Sequence, residues 1–395
     1  MLKLGSLFSG IGGFELSATR HGIVPVWASE IERACISITK RHFPDMAHLG
    51  DITYVKGNEI EPVDIISFGS PCQDFSTAGR RDGLEGKRSS LFIQAIRIIN
   101  EMRMATNDRY PRWAIWENVP GALSSGNGVD FKTVLKSFCD TEIPMPNSGK
   151  WAYSGMVRGG RCDVAWRTLN AQHFGVPQRR RRIFLVADFR ARSASEVLFE
   201  RNGVQGNTAK GTGAAGVTKK GVADTGVLVG LYENHQQDKR YTELQDVCST
   251  ATSHWETGGN NLPIVVAWTR NDDRGTFKHG IGTLTKRNAG GCAQTASTIL
   301  AYQNVIGALQ ASNGGHVNNQ TVRQDKLIIS DKLVRRLTPR ECERLQGFPD
   351  DYTAFGYDDK PISDSARYAA IGNSVAIPCV EFIMRRIAEV ENAVA

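Results

Sequence analysis

Lys3-Leu4-Gly5-Ser6-Leu7-Phe8-Ser9-Gly10-Ile11-Gly12-Gly13-Phe14-Glu15 passes within thirteen residues from an apolar run, through a cluster of glycines, into a helical pattern. An apolar strand over Lys3–Phe8 that breaks on glycine and restarts as a helix from Phe14 to His21 opens an α/β unit. Glycines in such a turn let a ligand approach the main chain, and the helix start offers unpaired N–H groups to an anion. The spacing fails the dinucleotide fingerprint, because Glu15 stands where a third glycine or alanine would fall. A carboxylate therefore suits this turn as well as a phosphate. The next apolar run, Val24–Ser29, ends at Glu30, eighteen residues after Gly12, where an acid accepts hydrogen bonds from ribose hydroxyls. The same turn without any ligand is an equally ordinary structure. Asp51 divides in the same way, between capping a turn and meeting an adenine amino group.

Outward from this unit the alternation continues. Strands are expected at Ile65–Phe68, Trp113–Trp116 and Arg182–Ala187, with helices over Glu32–His42 and Ser90–Met104. Residues 1–190 thus read as one α/β sheet domain. From 201 to 330 the composition shifts: 18 of the 40 glycines fall there, but only Pro263 of the 14 prolines. Such sequence makes turns and short strands or stays partly disordered. Ile281–Gly291 and Ile306–Gly315 resemble each other and read as two strand-turn units. A region 191–330 is therefore set apart, followed by a helical connecting segment, 331–363. There Thr338-Pro339-Arg340-Glu341 reads as a capped helix start. The last segment, 364–395, holds a helix from Pro378 to Glu391 that needs a sheet to pack on, so it is expected to return to the first domain.

The chain of 395 residues carries a net charge of +7, which favours a polyanionic partner weakly. Its apolar runs all fall short of the roughly 18 residues a membrane span requires. The N-terminal MLKLGSLF is too short for a secretory signal, so a cytoplasmic protein is expected. Eight cysteines are scattered without Cys-x-x-Cys or histidine companions, which argues against structural zinc and a disulfide framework. Most should be buried and inert. The exception is Cys72, in Gly69-Ser70-Pro71-Cys72-Gln73-Asp74-Phe75-Ser76: it lies in a turn at the carboxyl end of an apolar strand, where a thiol can face a substrate.

Three further clusters fall near expected strand ends: Trp116-Glu117-Asn118-Val119-Pro120, Gln178-Arg179-Arg180-Arg181-Arg182 and Gly372-Asn373-Ser374-Val375. Each alone reads as a solvated loop acid, a charged edge or an ordinary turn. Their order, FSGIGG, SPCQ, ENV, QRRRR, RRLTPRECERLQGFP and GNSV, resembles that of the DNA (cytosine-5)-methyltransferases, and covers nearly all of the chain outside 190–330. The resemblance implies a Rossmann-like mixed sheet with helices on both faces, together with a smaller, mostly β or irregular target-recognition domain. It also implies S-adenosylmethionine as cofactor, double-stranded DNA as partner, action as a monomer and a possible pairing with a restriction endonuclease.

The chemistry accounts for the residue types. Carbon 5 of cytosine is too weak a nucleophile to take a methyl group until a thiolate adds at carbon 6. By resemblance Cys72 supplies it, Glu117 is the acid at ring nitrogen 3, and Gln-x-Arg-x-Arg maps onto Gln178, Arg180 and Arg182. Arg182 then faces the cytosine carbonyl, with Arg180 supporting the thiol site. The cofactor contacts carried over are Phe8, Gly10, Gly12, Glu30, Ile31, Asp51, Ile52, Pro71, Leu91, Asn373 and Val375. Two positions depart from the family: Ile31 replaces a frequent aromatic, and Ser6 stands where many members have Asp. Extracting a base from a duplex needs a closing loop, and Gln73–Ser90 fits one, with Gln73, Ser76, Arg80, Arg81, Lys87 and Arg88 as DNA contacts. Arg270, Arg274, Lys286 and Arg287 are candidates in the recognition region. The rival readings are a transfer RNA methyltransferase, a non-catalytic DNA-binding relative and a nicotinamide-dependent oxidoreductase.

Overall fold

The computed structural model describes residues 1–70, 89–199 and 332–394, together with the strands at 230–234, 241–244 and 264–268. Eight strands form one mixed sheet: β1 (Lys3–Leu7), β2 (Val24–Ser29), β3 (Ala47–His48), β4 (Ile65–Phe68), β5 (Trp113–Asn118), β6 (Ser154–Arg158), β7 (Asp163–Asn170) and β8 (Arg181–Asp188). Their order is β3-β2-β1-β4-β5-β8-β7-β6. The first five run parallel, and β8, β7 and β6 are antiparallel. The carboxyl ends of β1, β2, β4 and β5 therefore share one rim with the start of β8.

Burial on both faces explains the unbroken apolar runs of β4 and β5, since successive side chains point to opposite sides. Ile66, Phe68, Ala114 and Trp116 face α3 (Ser89–Ala105) and α4 (Val129–Cys139), in a core shared with Phe92, Ile98, Phe131 and Phe138. Ile65, Trp113 and Ile115 face the other way, onto α1 (Gly13–Thr19) and α5 (Ala194–Leu198). Each such side chain, fully buried, contributes about 1.5–3 kcal/mol. The last helix, α8 (Ile377–Val394), places Val380, Ile383 and Ile387 in this second core. It is tied to α1 by the Arg20–Glu381 ion pair and by the Ser17 hydroxyl, which donates to the Ile377 carbonyl at 3.4 Å.

A third core joins α2 (Arg33–His42), α6 (Pro339–Gln346) and α7 (Asp364–Asn373) around Ile38, Leu337, Leu345 and Ile371. The start of α6 is the capping box read from the sequence: Thr338 Oγ1 accepts from the Glu341 amide at 3.2 Å, and Glu341 Oε2 accepts from the Thr338 amide at 2.7 Å. A separate antiparallel sheet of four strands, β9 (Gly230–Asn234), β10 (Tyr241–Leu244), β11 (Ile264–Trp268) and β12 (Lys332–Arg336), has the order β10-β9-β11-β12. The paired segments at 281–291 and 306–315 lie outside the described residues. No described helix is long and apolar enough to cross a membrane.

Candidate active site

The glycine turn closes over the end of β1 with left-handed backbone at Phe8, Gly10 and Gly12 (φ 55°, 54° and 82°). At Gly12 glycine is required twice: a Cβ would also lie 2.8 Å from the Phe43 ring. A Cβ at Gly10 would meet nothing within 4 Å, so the main chain there faces open space that a ligand can enter. Glu30 organises the turn: Oε2 accepts from the Gly10 amide at 2.7 Å, and Oε1 accepts from Ile31 and Glu32 at 2.8 and 3.0 Å. A carboxylate offers about four acceptor positions, so these three bonds leave capacity for a ribose hydroxyl. Ile31 is 65% exposed, an apolar side chain presented next to that acid.

Asp51 caps a short 3₁₀ turn, Ile52–Tyr54, accepting from both the amide and the hydroxyl of Thr53 at 2.9 Å. Ile52 is buried in the first core, and Leu91 packs against the same core. Asn373 ends α7 exposed, whereas Val375 is buried against the turn: a Cβ on Gly13 would approach Val375 Cγ2 to 2.7 Å. The GNSV segment is thus docked on the glycine turn. Beneath it, the Ser6 hydroxyl donates to Oε1 of Glu15, whose Oε2 has no partner among the described residues. Burial pushes the Glu15 carboxyl up to about 7, opposed by the Ser6 bond.

Across the rim, β5 and β8 bring Glu117 and Arg182 together, Arg182 Nε lying 3.0 Å from Glu117 Oε1. Gly69 makes this approach possible, since a Cβ there would sit 3.2 Å from Glu117 Oε2. The end of β4 is pinned from β5 as well: Ser70 Oγ accepts from Trp116 Nε1 at 2.9 Å, and the Ser70 carbonyl accepts from Asn118 Nδ2 at 3.3 Å. Arg180 is buried and donates to the carbonyls of Gly372 and Ser374, clamping the GNSV segment to the start of β8. The Gln178 amide is fully buried, and neither of its polar atoms is hydrogen-bonded among the described residues.

Glu117, Arg180 and Arg182 thus stand on the same rim as Phe8, Gly10, Gly12 and Glu30. Pro71, Cys72, Gln73, Ser76, Arg80, Arg81, Lys87, Arg88, Arg270, Arg274, Lys286 and Arg287 lie outside the described residues. The described cysteines are buried. Cys379, which feels the charges of Arg180, Glu117 and Arg182, is pushed up to about 12 by burial, as is Cys35; neither is a thiolate at neutral pH. Reading by residue type passed over Ser70 and Glu15. Ser70 carried a signal, as a polar residue between a buried strand and a candidate nucleophile.

A mixed sheet with a glycine turn, an acid at the end of its second strand and a third core of helices beside it is a Rossmann-like α/β fold. The structure of the Entamoeba histolytica methyltransferase EhMeth superposes with a TM-score of 0.60 at 13% identity, over 99% of both chains. The sequence narrows the class: residues 2–389 match the family C-5 cytosine-specific DNA methylase, and the chain belongs to it. It is 29% identical to a protein of Escherichia phage P1 named DNA N-6-adenine-methyltransferase, over 98% of this chain but 61% of that one. It is 28% identical to the type II methyltransferase M1.ScrFI of Lactococcus lactis subsp. cremoris, over 98% of this chain and 78% of that one. Family membership carries S-adenosylmethionine as methyl donor and carbon 5 of cytosine in DNA as acceptor.

Proposed function

We propose that the protein methylates cytosine within a specific duplex DNA sequence, with Cys72 as the nucleophile that adds at carbon 6. The observation that carries this reading is the Glu117–Arg182 pair beside the anchored Ser70. Nitrogen 3 and oxygen 2 of cytosine are adjacent acceptors, and a carboxyl and a guanidinium held 3.0 Å apart present matching groups. Cys72 follows the anchored Ser70 by two residues in the sequence.

In this scheme the Cys72 thiolate forms a bond to carbon 6, and the displaced electron density at nitrogen 3 is met by a proton from Glu117 while Arg182 steadies the carbonyl oxygen. S-adenosylmethionine supplies the electrophilic methyl group. As carbon 5 takes the methyl group the nitrogen 3 proton returns to Glu117, and loss of the carbon 5 proton to water then forms the ring double bond, expels the thiolate and restores aromaticity. Glu30 is fitted to hold the ribose, and the open backbone at Gly10 to receive the amino-acid end of the cofactor. Arg180 and the GNSV segment, with Asn373, close that side. The segment from Pro71 and Gln73 through Ser76, Arg80, Arg81, Lys87 and Arg88 would cover the extruded base. Arg270, Arg274, Lys286 and Arg287 belong to the region we assign to target recognition. Type II relatives favour a role beside a restriction endonuclease, and the protein would act as a monomer.

The phage P1 relative bears an adenine name, but 39% of its length has no counterpart here. An exocyclic adenine nitrogen takes a methyl group without a covalent nucleophile, which would leave Cys72 without a task. Bisulfite sequencing of DNA from cells expressing the protein should reveal one methylated motif. Cys72→Ala should abolish incorporation of labelled methyl groups while calorimetric cofactor binding persists. Full incorporation by that variant, or label recovered in adenine, would sink the reading.

A further inference from the structure

The four consecutive arginines are sorted by the structure into different tasks, and Arg181 is left without one in the chemistry above. Arg180 is buried on the GNSV carbonyls and Arg182 faces Glu117. Arg181, the first residue of β8, is exposed, and its guanidinium lies over the ring of Tyr153 with Cζ 4.8 Å from the centroid. No carboxylate among the described residues pairs with it. Tyr153 is itself 60% exposed, but its main chain is fixed, the Tyr153 carbonyl accepting from the Thr168 amide at 2.7 Å. Alternation along β8 turns Arg181 to the sheet face covered by α3 and α4, opposite to Arg182. The chain that leaves β4 at Ser70 re-enters the fold as α3 on that same face.

A solvated surface charge is usually mobile and close to an acid. Here a planar cation lies over an aromatic ring whose main chain is anchored, with no acid on its hydrogen-bonding edge among the described residues, at the rim that holds Glu117. Stacking restrains the guanidinium while leaving its N–H fork available for the two oxygens of a phosphate.

We infer that Arg181, shelved on Tyr153, is a phosphate contact for the DNA substrate beside the target cytosine, a positioning residue for the reaction. This deepens the DNA-methylating reading and rests on it. A contact of this kind carries no base information, so it should strengthen binding to target and non-target duplexes alike.

The test uses the full chain, a fluorescently labelled duplex holding its methylated sequence and a second duplex lacking it, titrated at several salt concentrations. Arg181→Ala should weaken binding to both about 5- to 10-fold, and should make the slope of log affinity against log salt shallower by about 0.9. Its KM for DNA should rise while cofactor affinity by calorimetry stays as in wild type. Arg181→Lys should keep the slope and recover part of the affinity, and Tyr153→Ala should give a loss intermediate between the two. Arg158→Ala, an exposed arginine at the far end of β6, serves as the control for general loss of charge. An Arg181→Ala protein with wild-type salt slope and KM for DNA, or one no different from Arg158→Ala, would overturn the inference. Because binding is read without turnover, a failure of the chemistry assigned to Cys72 would appear instead as wild-type protein that binds duplex and transfers no methyl group.

Discussion

The two ends of the β5–β8 ladder each carry an arginine beside an acid, and they behave as opposites. At the rim, Arg182 and Glu117 stand 3.0 Å apart with 17% and 12% of their side chains exposed. At the other end, Arg112 and Asp188 are 3.4 Å apart and almost sealed, at 3% and 0%. Asp188 is bonded on all sides: Oδ1 accepts from the amides of Arg190 and Ala191 at 2.9 and 3.2 Å, and Oδ2 from Ser193 at 2.8 Å. Arg112 also meets Glu391 of α8 at 2.8 Å, and Glu391 takes the Trp113 indole N–H at 2.6 Å. The lower carboxylate has spent its hydrogen-bonding capacity on the fold. The upper pair keeps one carboxyl oxygen toward Gly69 and some exposure to a substrate, so residue type alone does not separate a structural pair from a reactive one.

The largest expected effects break the comparison from each side. Glu117→Gln keeps size and shape but removes the proton donor, and should slow methyl transfer by about 10²- to 10⁴-fold with little change in melting temperature. Single-turnover incorporation of labelled methyl groups checks it; a loss below tenfold would move the acid role elsewhere. Asp188→Asn should do the reverse. It removes one of the two carboxylates at Arg112, leaving Glu391 at 2.8 Å, and points an amide N–H at backbone donors, which costs about 1–3 kcal/mol of stability. The fraction still folded should transfer methyl groups at close to the wild-type rate. Denaturant midpoints and activity, taken on the same samples, separate the two outcomes.

How much of this was legible in the sequence follows from the range of the interactions. Strands β1, β2, β4, β5 and β8 are apolar because both faces are buried, and period and composition alone place them. Strand β6 is the outer edge and mostly exposed, with Gly155 under the Trp166 ring, so it carries no apolar run to read. Helix α4 starts after left-handed backbone at Gly126, Asn127 and Gly128, and its sequence opens as a loop would. The site residues were recognisable as types in order, but the pairing of Glu117 with Arg182 depends on antiparallel register between strands some 65 positions apart. The arginine run is the same case: only the strand start at Arg181 decides which side chain goes to GNSV, to Tyr153 or to Glu117.

A third acid sharpens the comparison, because no cation among the described residues pairs with it. Glu15 is fully buried below the glycine turn, and among the described residues the Ser6 hydroxyl is the side-chain donor to one of its oxygens. Burial dominates and raises its folded-state carboxyl to about 7, and the charge of Glu30 adds to the rise. An unfolded glutamate titrates near 4.3. Between those values the folded protein holds a proton that the unfolded chain has released, so stability falls as pH rises through this window and levels off above about 7. The acid is thus harboured at a cost, whereas Asp188 is offset by its donors and Glu117 by its arginine. Glu15→Gln keeps the acceptor for Ser6 and cannot ionise. Its denaturant midpoint should match wild type near pH 5, exceed it at pH 8 by an amount worth about 1–3 kcal/mol, and vary less between the two. Equal pH dependence in both proteins would mean that Glu15 is ionised in the fold at neutral pH, and that a donor reaches its second oxygen.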